Sequence, residues 1–179
     1  TYCLNRVAED KGLPPVDQKD VFSTIGLPIT EACLRLWGRC DGEWITWYGT
    51  HYREDEYARL ELFPDARASL EGLRQQGVRT GVVSTRRYGR RGVERVGLDP
   101  RCDVVLGLED GTRGKPDPEL LLRALERLSC APENAWYVGD TDGDMRAARA
   151  AGMGALGISQ GAFDAAALTE AGAHAVVSS

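Results

Sequence analysis

From Phe63 onward the apolar positions of the chain switch repeatedly between two periods. "FPDARASLEGLRQQG" (63–77) places apolar residues at helical spacing between a proline near its start and a glycine at its end, and "VRTGVVS" (78–84) after it is a short apolar run of strand type. The same beat recurs. Helix-like "YGRRGVERVGL" (88–98) leads to strand-like "CDVVLGL" (102–108), and "DPELLLRALERLS" (117–129) leads to "AWYVG" (135–139). "DMRAARAAG" (144–152) then leads to "MGALGIS" (153–159), and "FDAAALTEAG" (163–172) to "AHAVVS" (173–178). Strands and helices alternating at this spacing predict right-handed crossovers, hence an α/β fold with a Rossmann-like parallel sheet covered by helices on both faces. Sheets of that kind place ligands at the carboxyl ends of their strands. Ser84 and Asp140 each stand at such an end.

Residues 1–62 follow another pattern, with no strand-like run and helix-length segments broken at "GLPP" (12–15), "IGLP" (25–28) and "CDGEW" (40–44). They predict a small α-helical domain ahead of an α/β core over 63–179. Trp37, Trp44, Trp47, Tyr48, Tyr52 and Tyr57 crowd into this first part and read as the core of a helical bundle.

Composition narrows the class. The 179 residues are 42% hydrophobic and 27% charged, close to globular averages. A net charge of −5 with no basic stripe argues against nonspecific nucleic-acid or membrane-surface binding. The five cysteines, Cys3, Cys33, Cys40, Cys102 and Cys130, form no C-x-x-C pair; their odd number suits reduced thiols and a cytoplasmic setting. No apolar run reaches transmembrane length.

The densest chemical signal is "VGDTDGDMRAARAAG" (138–152), with three aspartates in five residues. Aspartates cap helices, but three exceed what one cap uses. A calcium loop fails, because Gly143 precedes the third aspartate and Ala151 stands at the twelfth position where a glutamate is required. A strand tip carrying Asp140, with Asp144 one turn into the following helix, makes an oxygen-rich pocket of the kind Mg²⁺ takes together with waters and substrate phosphate. Phosphoryl chemistry also calls for a cation and hydroxyl donors. "GKPDP" (114–118) supplies Lys115 in a proline-stiffened loop, and "GVVSTR" (81–86) supplies Ser84 and Thr85 at a strand end.

Together these segments resemble the haloacid dehalogenase-like hydrolases, and among them the phosphatases with a helical cap such as phosphoglycolate phosphatases. "GVVSTR" is similar to the family's second motif, "GKPDP" to its third and "YVGDTDGDMRAARAAGM" (137–153) to its fourth. The resemblance implies a Mg²⁺-dependent phosphatase acting on a small phosphorylated metabolite through an aspartyl-phosphate, as a monomer or homodimer. Ser84 and Thr85 would bind phosphoryl oxygens, Lys115 would offset charge around nucleophile and phosphate, Asp140 would ligate Mg²⁺, and Asp144 would support the metal. Residues 1–62 would be the cap, with "STIGLPITEA" (23–32) meeting substrate and His51 able to reach it.

One motif has no counterpart. The family's first, D-x-D-x-T at the tip of the first strand, supplies the nucleophile, and no such sequence occurs in residues 1–179. "DTDG" (140–143) mimics its start but sits where the fourth motif belongs. In the resembled fold that strand is central, so the expectation is a chain lacking one strand and a loop, inactive by itself and exposing two ladder edges. A noncatalytic phosphate- and metal-binding protein is the alternative, as are a pyrophosphatase or phosphosugar mutase of the same fold. No G-x-S-x-G elbow supports a serine hydrolase.

Overall fold

The computed structural model describes residues 1–25, 27, 29–51, 57–86, 89–160 and 162–178, with only the backbone at His51. The chain divides into two compact units, Thr1–Arg59 and Leu60–Ser179.

The first unit is helical: α1 (Tyr2–Lys11), α2 (Gln18–Phe22), α3 (Ile29–Trp37) and α4 (Gly42–His51). Helix α1 stops at Gly12, whose φ of 61° is costly for any residue with a Cβ. The link to α2 is pinned by Asn5, whose amide donates to the Val16 carbonyl at 2.9 Å and accepts from the Val16 N–H at 2.7 Å. Asp17 then caps α2 by accepting from Asp20 N. The buried apolar set is Val7, Ala8, Leu13, Val16, Ala32, Cys33 and Tyr57. Of the aromatic group read as core, Tyr57 is buried, Trp37, Trp44, Trp47 and Tyr48 are half-buried, and Tyr52 lies outside the described residues. Trp37 and Trp44 meet edge to face at 6.3 Å, Lys11 lies over the Trp47 ring and Arg39 over Trp44. Tryptophan rings with cations above them hold a half-exposed position without an apolar lid.

The second unit runs α5 (Ala66–Gln75), β1 (Gly81–Val83), α6 (Gly89–Arg95), β2 (Val104–Leu106), α7 (Glu119–Leu128), β3 (Trp136–Gly139), α8 (Asp142–Ala150), β4 (Gly154–Ile158), α9 (Ala165–Glu170) and β5 (Ala175–Val177). All strand pairs are parallel. They form two ladders, however: β1 pairs with β2 from Gly81↔Val104 to Val83↔Leu106, and β3–β4–β5 make a separate three-stranded sheet. Among the described residues no backbone ladder joins β1 to β3.

Side-chain alternation along the strands sorts the core into two faces. Val83, Val104 and Leu106 point into a cluster with Leu120, Leu121 and Ala124 of α7, Met145, Ala147 and Ala148 of α8, Ala155 of β4 and Leu168 of α9. Val82 and Val105 point the other way, against Val93 of α6, Leu70 of α5, Leu62 and Leu98. The helices therefore cover both faces of β1–β2, and the first cluster runs beneath both ladders, so an apolar layer joins what the hydrogen bonds do not. On β3 the alternation leaves Trp136 61% and Val138 48% exposed while Tyr137 turns inward.

Helix α7 offers a direct check, since Leu120 is fully buried and Leu122 is 45% exposed two residues along. Leu120→Ala should cost about 2–5 kcal/mol in urea unfolding, while Leu122→Ala should cost under about 1 kcal/mol. Equal losses would mean that the cluster around Leu120 does not carry the unit.

Candidate active site

The three aspartates of 140–144 have three different environments. Asp142 opens α8 near solvent, with one oxygen 3.3 Å from Arg146 one turn on. Asp140, just beyond β3, is exposed, and among the described residues no donor engages its carboxylate. Asp144 is buried, its side chain 5% exposed.

Burying a carboxylate requires donors, and the local chain supplies them. Thr141 stands in extended conformation as the N-cap of α8 and accepts from Asp144 N at 3.1 Å. The Oδ2 of Asp144 reaches back to accept from Thr141 N at 3.1 Å, from the Thr141 hydroxyl at 2.8 Å and from Asp140 N at 3.2 Å. This is a reciprocal capping box built on T-x-x-D in place of the usual glutamate. A β-carbon on Gly139 would lie 2.5 Å from the Asp144 side chain, so the residue before Asp140 has to be glycine for the carboxylate to fit.

The other oxygen, Oδ1, faces Lys115. The ammonium Nζ lies 2.5 Å away, in an ion pair whose angles fall short of a hydrogen bond, so Oδ1 is buried with a charge partner but no aligned donor among the described residues. Nζ also donates to the Tyr137 hydroxyl at 2.6 Å and to the Val83 carbonyl at 3.4 Å, and the Tyr137 hydroxyl donates to that same carbonyl at 3.1 Å. Burial by itself would lower the Lys115 pKa, but the Tyr137 oxygen and the Asp144 carboxylate against it more than offset this and hold it above the ordinary lysine value. Burial first, and the Asp144 charge as well, push Tyr137 up to about 12 against the opposing pull of Lys115. The group therefore carries a fixed positive charge and a neutral phenol.

The loop bearing Lys115 is held by the first residue of α7. Glu119 accepts from the Thr112 hydroxyl at 2.8 Å, from the amides of Thr112 and Arg113, and from Arg123. The Thr112 hydroxyl first, then Arg123 and the two amides, hold its carboxyl down to about 2. Within the loop Asp117 N bonds the Gly114 carbonyl, Arg113 pairs with Asp117 at 3.0 Å, and the Lys115–Pro116 peptide is cis. A β-carbon on Gly114 would press on the Thr85 methyl at 3.1 Å, which places this loop against the end of β1.

The structure thus gathers the residues singled out from sequence at the carboxyl ends of β1 and β3. Lys115 and Asp144 are in contact, Asp140 is tied to Asp144 through its backbone, and Thr85 abuts the lysine loop. Ser84 follows Val83 directly; its hydroxyl accepts from Arg86 N at 3.1 Å, and among the described residues it is not bonded to Lys115 or Asp140. Among the described residues no cluster of three or more His, Cys, Asp or Glu is arranged to hold a metal. Of the two expected metal ligands, Asp140 has a carboxylate open to solvent and Asp144 does not. His51 has no described side chain, and of 23–32 Gly26 and Pro28 lie outside the described residues, while Thr24 is buried with its hydroxyl donating to Val21. Tyr137 and Thr141 were not singled out from sequence; the T-x-x-D spacing was a signal for Thr141, and nothing in "AWYVG" marked Tyr137.

A profile of the haloacid dehalogenase-like hydrolases matches residues 1–158. A phosphoglycolate phosphatase of Rhodospirillum rubrum is 31% identical over 176 residues, covering 90% of this chain and 73% of that protein. The pyrophosphatase PpaX of Halalkalibacterium halodurans is 29% identical over 138 residues, 76% of this chain and 64% of its own length. Across five relatives carrying the pyrophosphatase name the chain spans from about half to two thirds of their length, 47% to 67%. A crystal structure of a haloacid dehalogenase-like hydrolase from Bacteroides fragilis superposes with a TM-score of 0.86 at 31% identity, covering 98% of this chain and 86% of that one.

Gly139→Ala should force Asp144 off its donors and cost about 1–3 kcal/mol in thermal or urea unfolding; an unchanged midpoint would show that the carboxylate has room. Glu119, ordinarily titrating near 4.5 and here near 2, should give the loop stability that is complete above about pH 4.5 and lost as the pH falls towards 2. Glu119→Gln should flatten that part of the stability–pH curve, and a variant with the wild-type slope would remove Glu119 from the account.

Proposed function

The chain belongs to the haloacid dehalogenase-like hydrolases, and on that premise we propose that it is the greater part of a Mg²⁺-dependent phosphatase for small phosphate monoesters. The observation that carries the reading is the buried ion pair of Lys115 and Asp144, 2.5 Å apart, at strand tips that also bear Ser84 and Asp140. A lysine whose charge is secured by a buried carboxylate is suited to a site where anionic oxygens gather. Its location at the carboxyl ends of parallel strands is where ligands of such sheets bind.

In this reading Lys115 offsets the charge of the phosphoryl group, and the hydroxyls of Ser84 and Thr85 donate to its oxygens. Asp140, with its open carboxylate, would hold Mg²⁺, which would supply positive charge where the phosphoryl oxygens gather. Asp144 acts from behind, fixing the Asp140 backbone and the lysine. Residues 1–62 serve as the cap, and the protein works in the cytoplasm.

The attacking group is the remaining part. Phosphoryl transfer through a covalent intermediate needs a nucleophile in line with phosphorus, and the family pattern places an aspartate on a strand between those that end at Ser84 and Gly139. The separation of the β1–β2 and β3–β4–β5 ladders supports this placement, because one extended segment bonded to both β1 and β3 would merge them. A second substrate class, pyrophosphate, is favoured by the relatives named as pyrophosphatases, and a phosphosugar mutase role by a Thermotoga maritima structure named as a β-phosphoglucomutase, 26% identical with a TM-score of 0.77.

Hydrolysis of an aryl phosphate, phosphoglycolate and pyrophosphate should be followed with Mg²⁺ for residues 1–179 and for a chain extended by the coding sequence upstream of Thr1. Turnover is expected only in the extended chain, with preference for a monoester. Activity of residues 1–179 alone would overturn the strand assignment. In the active chain Asp140→Asn should lower kcat at least about 100-fold with the fold retained, Lys115→Ala should lower it as much together with the unfolding midpoint because it leaves Asp144 buried without its cation, and full activity in excess chelator would remove Mg²⁺ from the reading.

A further inference from the structure

Two anchors fix the backbone on either side of Thr85. Ser84 N donates to the Leu106 carbonyl at 2.9 Å, and the Arg86 carbonyl accepts from Leu108 N at 3.1 Å. The Ser84 hydroxyl adds a third bond by accepting from Arg86 N at 3.1 Å. With the backbone tied to β2, χ1 is the torsion left to decide where the Thr85 hydroxyl points. A threonine commits χ1 through the surface on which its methyl packs. That surface is Gly114: a β-carbon there would stand 3.1 Å from the Thr85 methyl, 3.5 Å from Thr85 Cβ and 3.6 Å from Leu108 Cδ1. Leu108 leaves β2 and shares this seat, so the contact lies on the β2 side of the β1 tip. A strand bonded to the far edge of β1 leaves it in place.

We propose that Gly114 is a positioning residue for Thr85, its bare α-carbon seating the threonine methyl so that one rotamer holds the hydroxyl for a phosphoryl oxygen. This rests on the reading of Thr85 as a donor to the phosphoryl group and of Lys115 as the cation beside it. The same contact sets the lysine loop against the tip of β1. Glu119 holds the amides of Thr112 and Arg113 ahead of the glycine, and Asp117 N bonds the Gly114 carbonyl behind it. The loop is thus stiff on both sides of position 114. A methyl introduced there would turn Thr85 to another rotamer or lift the loop with Lys115, and each displacement misaims a group meant for phosphate.

In the chain extended upstream of Thr1, kcat/KM for an aryl phosphate should be compared for wild type, Gly114→Ala, Thr85→Ser and the double variant. Gly114→Ala should lower kcat/KM about tenfold, less than the full cost of misplacing a reacting group. Thr85→Ser keeps the hydroxyl and removes the methyl, so Gly114→Ala added to it should cost nothing further, the lost methyl being replaced from the other side of the contact. Equal losses from Gly114→Ala in both backgrounds, or wild-type kcat/KM in Gly114→Ala, would overturn the proposal. An independent arm needs no variant to fold. NMR of the wild-type chain should show a through-space cross-peak between the Thr85 methyl and the Gly114 α-protons, with three-bond couplings of a single χ1 rotamer, and averaged couplings would also overturn it. Thr85→Val keeps the seated methyl and drops the hydroxyl, and should lower kcat/KM about tenfold, the size of one hydrogen bond to a charged group. Wild-type kcat/KM in that variant would instead strike down the phosphate reading of Thr85.

Discussion

A carboxylate taken out of water is tolerated only where the surrounding chain replaces what water gave it, and Asp144 is such a group. Moving a carboxylate from water into an apolar interior costs several kcal/mol even after the protein relaxes. Here the replacement is specified by local sequence. Thr141 provides two donors and receives one bond in return, Asp140 lends its amide, and Lys115 provides the charge. Remove any one of these and the buried oxygens lose partners they cannot regain from solvent. The first turn of α8, the end of β3 and the lysine loop are therefore bound to one another through two oxygen atoms.

That dependence propagates outward. Gly139 has no side chain because the carboxylate occupies the space one would fill. Glu119 gathers the amides of Thr112 and Arg113 so that the loop enters at the right height for Lys115. The apolar layer of Leu106, Leu120, Met145, Ala155 and Leu168 runs under both ladders, giving the polar cluster a dry floor on which its electrostatics are strengthened. Helix capping and charge pairing, usually separate devices, share a single residue here.

Much of this architecture can be read from the chain alone, and the reasons differ by element. Each strand and helix after Phe63 shows in the shift between continuous apolar runs and helical spacing, with glycine and proline at the breaks, because parallel strands buried on both sides leave little room for polar residues. Helix α8 begins at Asp142, two residues earlier than apolar periodicity suggests, because Thr141 caps it. Lys115, Ser84 and Asp140 are visible through motif resemblance and strand-end position. Tyr137 is not, since a tyrosine in a strand-like run is an ordinary β-former and its role arises from a neighbour 22 residues away in sequence. The tryptophans mislead for a related reason: apolar rings at helical spacing suggest a core, whereas Lys11 and Arg39 make half-exposed positions comfortable. The break between ladders leaves no mark in periodicity, because a strand looks the same whether or not its far edge is paired.

In the described residues, the interval between the tips of β1 and β3 is gauged by a tyrosine ring and a lysine stem resting on one carbonyl, not by backbone bonds. A ladder sets neighbouring strands about 4.8 Å apart, almost regardless of sequence; a side-chain spacer takes its length from the residue chosen. Within these residues the aperture that Ser84 and Asp140 face across is thus a dimension that substitution at position 137 can tune, whereas a strand paired with both β1 and β3 would fix it by backbone bonds that no side chain alters.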